Sequence, residues 1–346
     1  MPKCSLHRFL QIRISTCVCY TLGLIAVIQF FACFGKYNYP HLPAEVIETQ
    51  LLKEISPILT LKKSKLDCDY NNVLNNKDTI NNWEIPNKYD DFVAAGVVNG
   101  SYAPEDCNPV FSVAILVTYR NRQSQLDVFL PYMHNFLRKQ KIHYKIFLIE
   151  QQDEKPWNKG VLYNIGAKFA LNEKFPCLIL HDVDLLPLDS ANLYACTTQP
   201  RHMSASIDKF RYVLTYSWLV GGALAIPTTQ FVAVNGLSNR FEGWGGEDDD
   251  FAARLEAHKY DIVRFPREMS RYSMLVHAPA RKNAARTRLL REGEREREQQ
   301  REHEHERERE SARARAASDG FANIARAYAS ARLANHRLFT LIGVQL

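Results

Sequence analysis

Between Arg13 and Lys36 the chain runs for 22 residues without an Asp, Glu, Lys or Arg, and Leu, Ile, Val, Phe and Cys fill most of the stretch. As an α-helix that run measures about 33 Å, enough to cross the hydrocarbon core of a bilayer. A cleaved signal peptide is the competing reading, but the run is long and no clear small-x-small cleavage site follows it. A retained signal-anchor is therefore expected. Lys3, Arg8 and Arg13 precede it, so the positive-inside rule keeps residues 1–13 as a cytosolic tail, makes 14–35 the transmembrane segment and sends the rest to the lumen.

That topology divides the cysteines. Cys4, Cys17, Cys19 and Cys33 belong to the tail and anchor, leaving Cys68, Cys107, Cys177 and Cys196 on the luminal side. Four cysteines permit three pairings, and with no CxxC pair among them an oxidising lumen favours two disulfides over a metal site. Asn99-Gly100-Ser101 is an N-glycosylation sequon that the same topology makes usable. The formal charge of +6 comes from unevenly spread residues, including an Arg/Glu-rich block near the C-terminus. It points to no nucleic acid, and no helix-turn-helix, zinc-finger or RNA-binding signature accompanies it.

Residues 36–67 hold several Pro and Lys without a sustained period, which suits a stem that lifts a domain off the membrane. From Cys68 the pattern alternates. Val110 to Tyr119 reads as a buried strand, and Leu126, Phe129, Leu130, Met133, Phe136 and Leu137 form one helical stripe, with Pro131 expected to kink it. Tyr144–Ile149 reads as a second strand, Val161, Leu162, Ile165 and Phe169 as a second stripe, and Cys177–Asp182 as a third strand. Strand-helix-strand-helix-strand predicts an α/β fold with a parallel sheet, which binds ligands beyond the carboxyl ends of its strands.

His181-Asp182-Val183-Asp184 lies at such an end, and the strand period aims Asp182 and Asp184 the same way. Paired hard oxygens suit Mg²⁺ or Mn²⁺ carrying a diphosphate, although a lone DxD is more often a capped loop. Gly243-Trp244-Gly245-Gly246-Glu247-Asp248-Asp249-Asp250 is far more specific. Its glycines admit a ligand close to the backbone, the indole offers a sugar a flat face, and the acids supply a base. This block resembles the signature of the β1,4-galactosyltransferase family, glycosyltransferase family 7. Tyr119-Arg120-Asn121-Arg122, Trp157-Asn158-Lys159 through Asn164-Ile165-Gly166, Asp182-Val183-Asp184, Gln199-Pro200-Arg201-His202, Asp208-Lys209-Phe210 and Met274-Leu275-Val276-His277 agree with it in order. The resemblance covers about residues 68–290, and faintly 318–346.

The resemblance implies an A-type glycosyltransferase fold, a single Rossmann-like catalytic domain, in a type II Golgi membrane enzyme. It implies Mn²⁺ held by Asp184, Met274 and His277. Arg120, Arg122, Asp182, Val183, Lys209, Leu219 and Gly222 would bind the UDP-sugar donor, and Trp244, Gly245, Gly246, Asp249 and Arg286 a GlcNAc-terminated glycan acceptor. Asp248 would be the general base, assisted by Glu247, in an inverting transfer. Cys68 would pair with Cys107, and Cys177 with Cys196. Galactose-preferring vertebrate members of the family carry a tyrosine where this chain has Leu219, while invertebrate members with a smaller residue there transfer N-acetylgalactosamine. UDP-GalNAc is thus the expected donor, giving GalNAcβ1,4GlcNAc on glycoproteins or glycolipids, with UDP-Gal the runner-up. Xylose-acceptor relatives differ around the metal histidine.

The chain departs from the family after His277. The usual Arg-Phe pair of the loop that closes over the acceptor is missing; Arg286 or Arg288, with Leu289 or Leu290 as the apolar wall, could replace it. Residues 291–317 are an Arg/Glu/His/Ala block of low complexity, expected to be an exposed helix or disordered, outside the core. Residues 318–346 then resume the catalytic domain. The altered loop keeps open a catalytically silent sugar-binding protein, or an enzyme that needs an accessory protein.

Overall fold

The computed structural model describes residues 5–32, 38–75, 95–278, 282–302 and 319–346. The start of the cytosolic tail (1–4), a stretch of the closing loop (279–281) and most of the low-complexity block (303–317) lie outside the described residues.

Helix α1, Ser5–Ala32, includes Ile14–Phe31 with mean hydropathy 1.9, long and apolar enough to cross a membrane. Helices α2 (Ala44–Gln50) and α3 (Asn71–Leu74) follow, then strand β1 (Ser101–Tyr102). The alternation read from the sequence comes next: β2 (Ser112–Tyr119), α4 (Gln123–Lys139), β3 (His143–Gln151), α5 (Lys159–Asn172) and β4 (Cys177–Asp182). Helix α4 runs on through Pro131 as one element. Short strands β5 (Leu185–Pro187), β6 (Arg201–His202) and β7 (Ser206–Ile207) lead to β8 (Ala223–Pro227) and α6 (Thr228–Ala233). Helix α7 (Glu247–Ala257), β9 (Arg271–Met274), α8 (Arg286–Glu302), β10 (Ser330–Asn335) and β11 (Thr340–Gln345) complete the chain.

The main sheet has the order β10-β11-β3-β2-β4-β8-β6, with β1 pairing β3 outside that path. β11, β3, β2 and β4 run parallel, as the strand-helix alternation predicts for β2 to β4. The sheet is nevertheless mixed. β8 and β6 extend it antiparallel on one side, and β10 does so on the other, because these strands are joined by loops and hairpins without crossover helices. A second sheet, β5-β9-β7, stands apart.

All eight residues of β2 are buried, as a central parallel strand requires. Its side chains alternate between two cores. Val113, Ile115 and Val117 pack with Phe129, Met133 and Phe136 of α4, while Ala114 and Leu116 pack with Leu162 and Ile165 of α5. Each such large side chain contributes roughly 1.5–3 kcal/mol.

Two segments touch the domain at points that the sequence did not single out. The stretch read as a free stem lies against the domain from Tyr39 onward. Ile47 and Leu51 join the main core, Leu51 bridges Thr197, and the Leu42 amide donates to the Arg264 carbonyl at 2.8 Å. Its apolar residues are too scattered to show a period, and those that dock, Tyr39, Ile47 and Leu51, do so singly, while Ile58 and Leu66 stay exposed. The low-complexity block, as far as it is described, continues α8, and α8 lies on α7, where Arg297 reaches a buried carboxylate described below.

Residues 319–346 rejoin the domain through Asp319. Its carboxylate accepts from Ser238 Oγ (2.6 Å), Asn239 N (2.7 Å), Arg240 Nε (3.1 Å) and Arg254 Nη2 (3.1 Å). Removing it takes one partner from each of two guanidinium groups, which keep Asp250 and Glu296, and leaves the Asn239 amide and the Ser238 hydroxyl without their acceptor. We expect Asp319→Ala to cost about 3 kcal/mol in urea unfolding; an unshifted midpoint would mean that the C-terminal strands are held by β11 pairing alone.

Candidate active site

The carboxyl ends of β2 and β4 open onto one region. β4 closes at Asp182, whose amide donates to the Gly222 carbonyl at 2.9 Å, tying it to the turn before β8. Gly222 has φ +95, and a Cβ there would meet Ser204 Oγ at 2.5 Å, so the turn needs glycine on both counts. Opposite stands Lys159, the first residue of α5, set by the Asn158 side chain that caps the helix by accepting from the Val161 amide. Lys159 Nζ lies 2.6 Å from Asp182 Oδ1 and 3.8 Å from Glu247 Oε1, and the Tyr163 hydroxyl lies 3.3 Å from the same Asp182 oxygen. Burial alone would pull the Lys159 ammonium down, but Asp182, with Tyr163 and Glu247, overrides it and holds it well above the ordinary value.

Helix α7 begins with four acids, favoured there by the helix dipole, and Gly246 before it adopts φ +101. Helical geometry sends each acid to a different neighbour. Glu247 is buried against Lys159, and among the described residues its Oε2 has no hydrogen-bond partner. Asp248 stands against the Gly221 backbone, where a Cβ would lie 2.5 Å from Oδ2. Asp249 accepts from the Tyr216 hydroxyl at 3.0 Å. Asp250, buried, accepts from Arg254 Nε at 2.7 Å and Arg297 Nη1 at 2.8 Å. Burial raises the Glu247 carboxyl even against the pull of Lys159. Burial, followed by the charges of Glu247 and Asp249, pushes Asp248 up to about 7, while Arg254 and Arg297 outweigh burial to hold Asp250 low. Lys159, Tyr163, Gly221, Gly222, Glu247 and Asp248 line one small cavity.

The expected metal ligands meet at the second sheet. β5 and β9 pair Leu185 with Met274, and the Leu275 amide donates to the Asp184 carbonyl at 2.7 Å. His277 Nδ1 then lies 2.9 Å from Asp184 Oδ2. Asp208 braces the strand, accepting from the Met274 amide at 3.0 Å and the Ser273 hydroxyl at 2.5 Å. One carboxylate and one imidazole within contact, with a thioether on the paired strand, fit a divalent cation. Among the described residues no group of three or more His, Cys, Asp or Glu gathers for one.

Around this centre, Arg122 Nη2 donates to the Ala278 carbonyl at 3.1 Å and Gln125 Nε2 to the Val276 carbonyl at 2.7 Å, so the loop after β2 and the first turn of α4 hold the His277 segment. Arg120 caps the Lys155 carbonyl at 2.8 Å and lies over Trp157. Lys209 is exposed, beside the Asp208 brace, and Val183 puts its side chain in the main core. Trp244 is exposed, and its carbonyl accepts from the Asn283 amide at 2.9 Å. Of the two candidate arginines in the altered loop, Arg286 is the one beside the glycines, with Nη1 3.3 Å from where a Gly245 Cβ would stand; Arg288 pairs with Glu292 on the exposed face of α8. Leu289 is buried. Leu219 Cδ1 lies 3.7 Å from a Cβ position on Gly221, next to Asp248. Both expected disulfides, Cys68–Cys107 and Cys177–Cys196, are formed. Asn99 is exposed on a turn, away from these groups.

Sequence reasoning gave Lys159, Tyr163 and Asp208 no role. Lys159 stood in a quoted block, but its two carboxylates are 23 and 88 positions away, and nothing in local spacing signals such a bridge.

Two family models match the chain: the N-terminal region of glycosyl transferase group 7 over residues 70–197, and the N-terminal domain of galactosyltransferase over 201–278. The chain is 42% identical over 188 residues to β-1,4-galactosyltransferase 4 of Cricetulus griseus, covering 54% of this chain and 55% of that one. With β-1,4-galactosyltransferase 2 of Homo sapiens it shares 39% over 183 residues, covering 52% and 49%. The chain thus spans about half the length of the curated relatives it matches. The catalytic domain of Drosophila β1,4-galactosyltransferase 7 with xylobiose superposes at a TM-score of 0.52, 25% identical, over 68% of this chain and 94% of that one. A mutant of that protein in complex with manganese, UDP-Gal and xylobiose gives 0.50. The A-type glycosyltransferase fold follows from this likeness and the mixed sheet. With both halves of the family signature matched in order across more than half its length, the chain belongs to glycosyl transferase group 7, the β1,4-galactosyltransferase family.

Proposed function

We propose that the protein is an inverting, manganese-dependent β1,4-glycosyltransferase that moves a sugar from a UDP donor to a terminal GlcNAc, anchored in the Golgi membrane by α1 with the domain in the lumen. The observation that carries this reading is the sorting of the α7 acids. Asp248 is set against the Gly221 backbone with its carboxyl raised toward neutrality, beside a buried Glu247 oxygen that has no partner.

In this reading Asp248 takes the proton from the acceptor 4-hydroxyl while that oxygen attacks the anomeric carbon. The bond from that carbon to the UDP oxygen breaks on the opposite face, so configuration inverts in a single displacement. Glu247 Oε2 accepts a hydrogen bond from the acceptor, Trp244 stacks on its ring, and Asp249, Gly245, Gly246 and Arg286 line its approach. Arg120, Arg122, Asp182, the Val183 main chain and Lys209 hold the nucleotide, with Gly222 letting it approach closely. Asp184, Met274 and His277 would hold Mn²⁺, which when bound neutralises charge on the departing diphosphate.

Leu219 beside Gly221 favours GalNAc: an apolar side chain there can pack on an N-acetyl methyl, while a tyrosine hydroxyl would crowd it. The second reading, UDP-Gal, is favoured by the names of the relatives and by the sugar nucleotide in the Drosophila complex. Full-length protein assayed with Mn²⁺ and a GlcNAc-terminated acceptor should transfer GalNAc faster than Gal. Faster Gal transfer would make it a galactosyltransferase, and transfer of neither by protein that binds UDP would favour the silent or partner-dependent reading.

Asp248 must be ionised to act, so kcat/KM should rise about tenfold per pH unit below about 7 and level off above it. Asp248→Asn should lower kcat by about 10²–10⁴ and remove that limb. The same shift destabilises the fold. A carboxyl with a folded pKa near 7 against 3.8 favours folding only while protonated, so stability is lost as pH rises between these values. The asparagine variant should therefore gain melting temperature, more at pH 8 than at pH 5. Lys159→Met should cost about 3 kcal/mol at pH 8 by leaving the buried Glu247 carboxylate facing the half-buried Asp182 with no cation between them. Part of that loss should return on acidification, because burial already raises the Glu247 carboxyl; equal losses at pH 8 and pH 5 would rule out the bridge.

A further inference from the structure

The membrane-proximal segment, expected to be a spacer, reaches the donor side of the site. Tyr39 is 2% exposed and packs with Ala205 and Leu214, and Leu219 packs against that cluster. The Tyr39 hydroxyl donates to the Phe265 carbonyl at 3.1 Å, and three residues on the Leu42 amide donates to the Arg264 carbonyl at 2.8 Å. The segment thus fixes Arg264-Phe265 from outside. Arg264, itself 5% exposed, turns its guanidinium inward and donates through Nη2 to the carbonyls of Ser217 (2.6 Å) and Leu219 (3.0 Å). Its Nε also reaches His202 Nδ1 at 3.3 Å. Leu219 is therefore held twice, by its carbonyl on Arg264 and by its side chain on the Tyr39 cluster, and its Cδ1 ends beside Gly221 and Asp248.

We propose that Tyr39 is a positioning residue for donor specificity, setting through Leu219 and Arg264 the wall that meets the 2-substituent of the donor sugar. This rests on the function proposed above, in which Leu219 faces that substituent. Tyr39 touches no substrate. It backs Leu219 with a rigid ring, and without the ring Leu219 withdraws into the space left behind and loses its contact with the N-acetyl methyl.

The test is the ratio of kcat/KM for UDP-GalNAc to that for UDP-Gal, measured on the full-length membrane protein. Tyr39→Ala should bring the ratio about tenfold closer to unity, with the larger change in donor KM, while Tyr39→Phe, which keeps the ring, should hold it within about twofold of the parent. A purely structural role would lower both donors' rates together and leave the ratio fixed. If the alanine variant does not accumulate, Tyr39→Leu should move the ratio about threefold in the same direction. A parent ratio retained by the alanine or leucine variant, in protein that still transfers sugar, overturns the proposal. A parent enzyme that transfers neither sugar overturns the functional reading instead.

Discussion

A single buried cation holds the site together. Lys159 starts α5, Asp182 ends β4 and Glu247 starts α7, and the ammonium lies between the two carboxylates. Each acid alone would be expensive to bury, and together they would repel one another. With Lys159 between them, the ends of three elements converge on one point. The Gly221-Gly222 turn is drawn into the same arrangement by the Asp182 amide. The cavity that these groups line is therefore fixed by charge as much as by packing.

The first turn of α7 shows how four adjacent acids can serve four ends. Asp250 is paired by two guanidinium groups, and one oxygen of Asp249 accepts from the Tyr216 hydroxyl. Glu247 is half satisfied, with one oxygen toward Lys159 and the other without a partner. Asp248 has no cation within ion-pair distance among the described residues, so burial, and after it the charges of Glu247 and Asp249, raises its pKa with little to oppose them. The block that seemed foreign to the domain takes part, since Arg297 supplies half of the charge that keeps Asp250 ionised. Arg240, beside Asp319, reaches Glu292 and Glu296 on the same helix.

Period and punctuation made much of this legible. The apolar stripes of α4 and α5 and the runs of β2, β3 and β4 announce themselves because one helix face or a whole strand is buried. The Asp182-Val183-Asp184 triplet lies at a strand end as the alternation requires. The antiparallel extension through β8 and β6 was not legible, because a five-residue apolar run carries no direction. The packing of Tyr39, Leu42 and Ile47 was hidden for a different reason: single apolar residues among polar ones look alike whether they dock or not. Arg297 was hidden because one arginine in a monotonous Arg/Glu block cannot be told from its neighbours until a buried carboxylate selects it. Lys159 depended on two long-range partners, which no local window contains.

The docking of Tyr39 also limits reach. Only residues 33–38 separate the end of α1 from this buried anchor point, and fully extended they allow about 24 Å between them. With α1 in a bilayer, the domain is on a short leash, Tyr39 held within that distance of the end of α1. For the function proposed above, acceptors attached to the same membrane would meet the site at a high local concentration set by the surface itself, whereas a glycan at the tip of a tall glycoprotein would have to bend back to be reached.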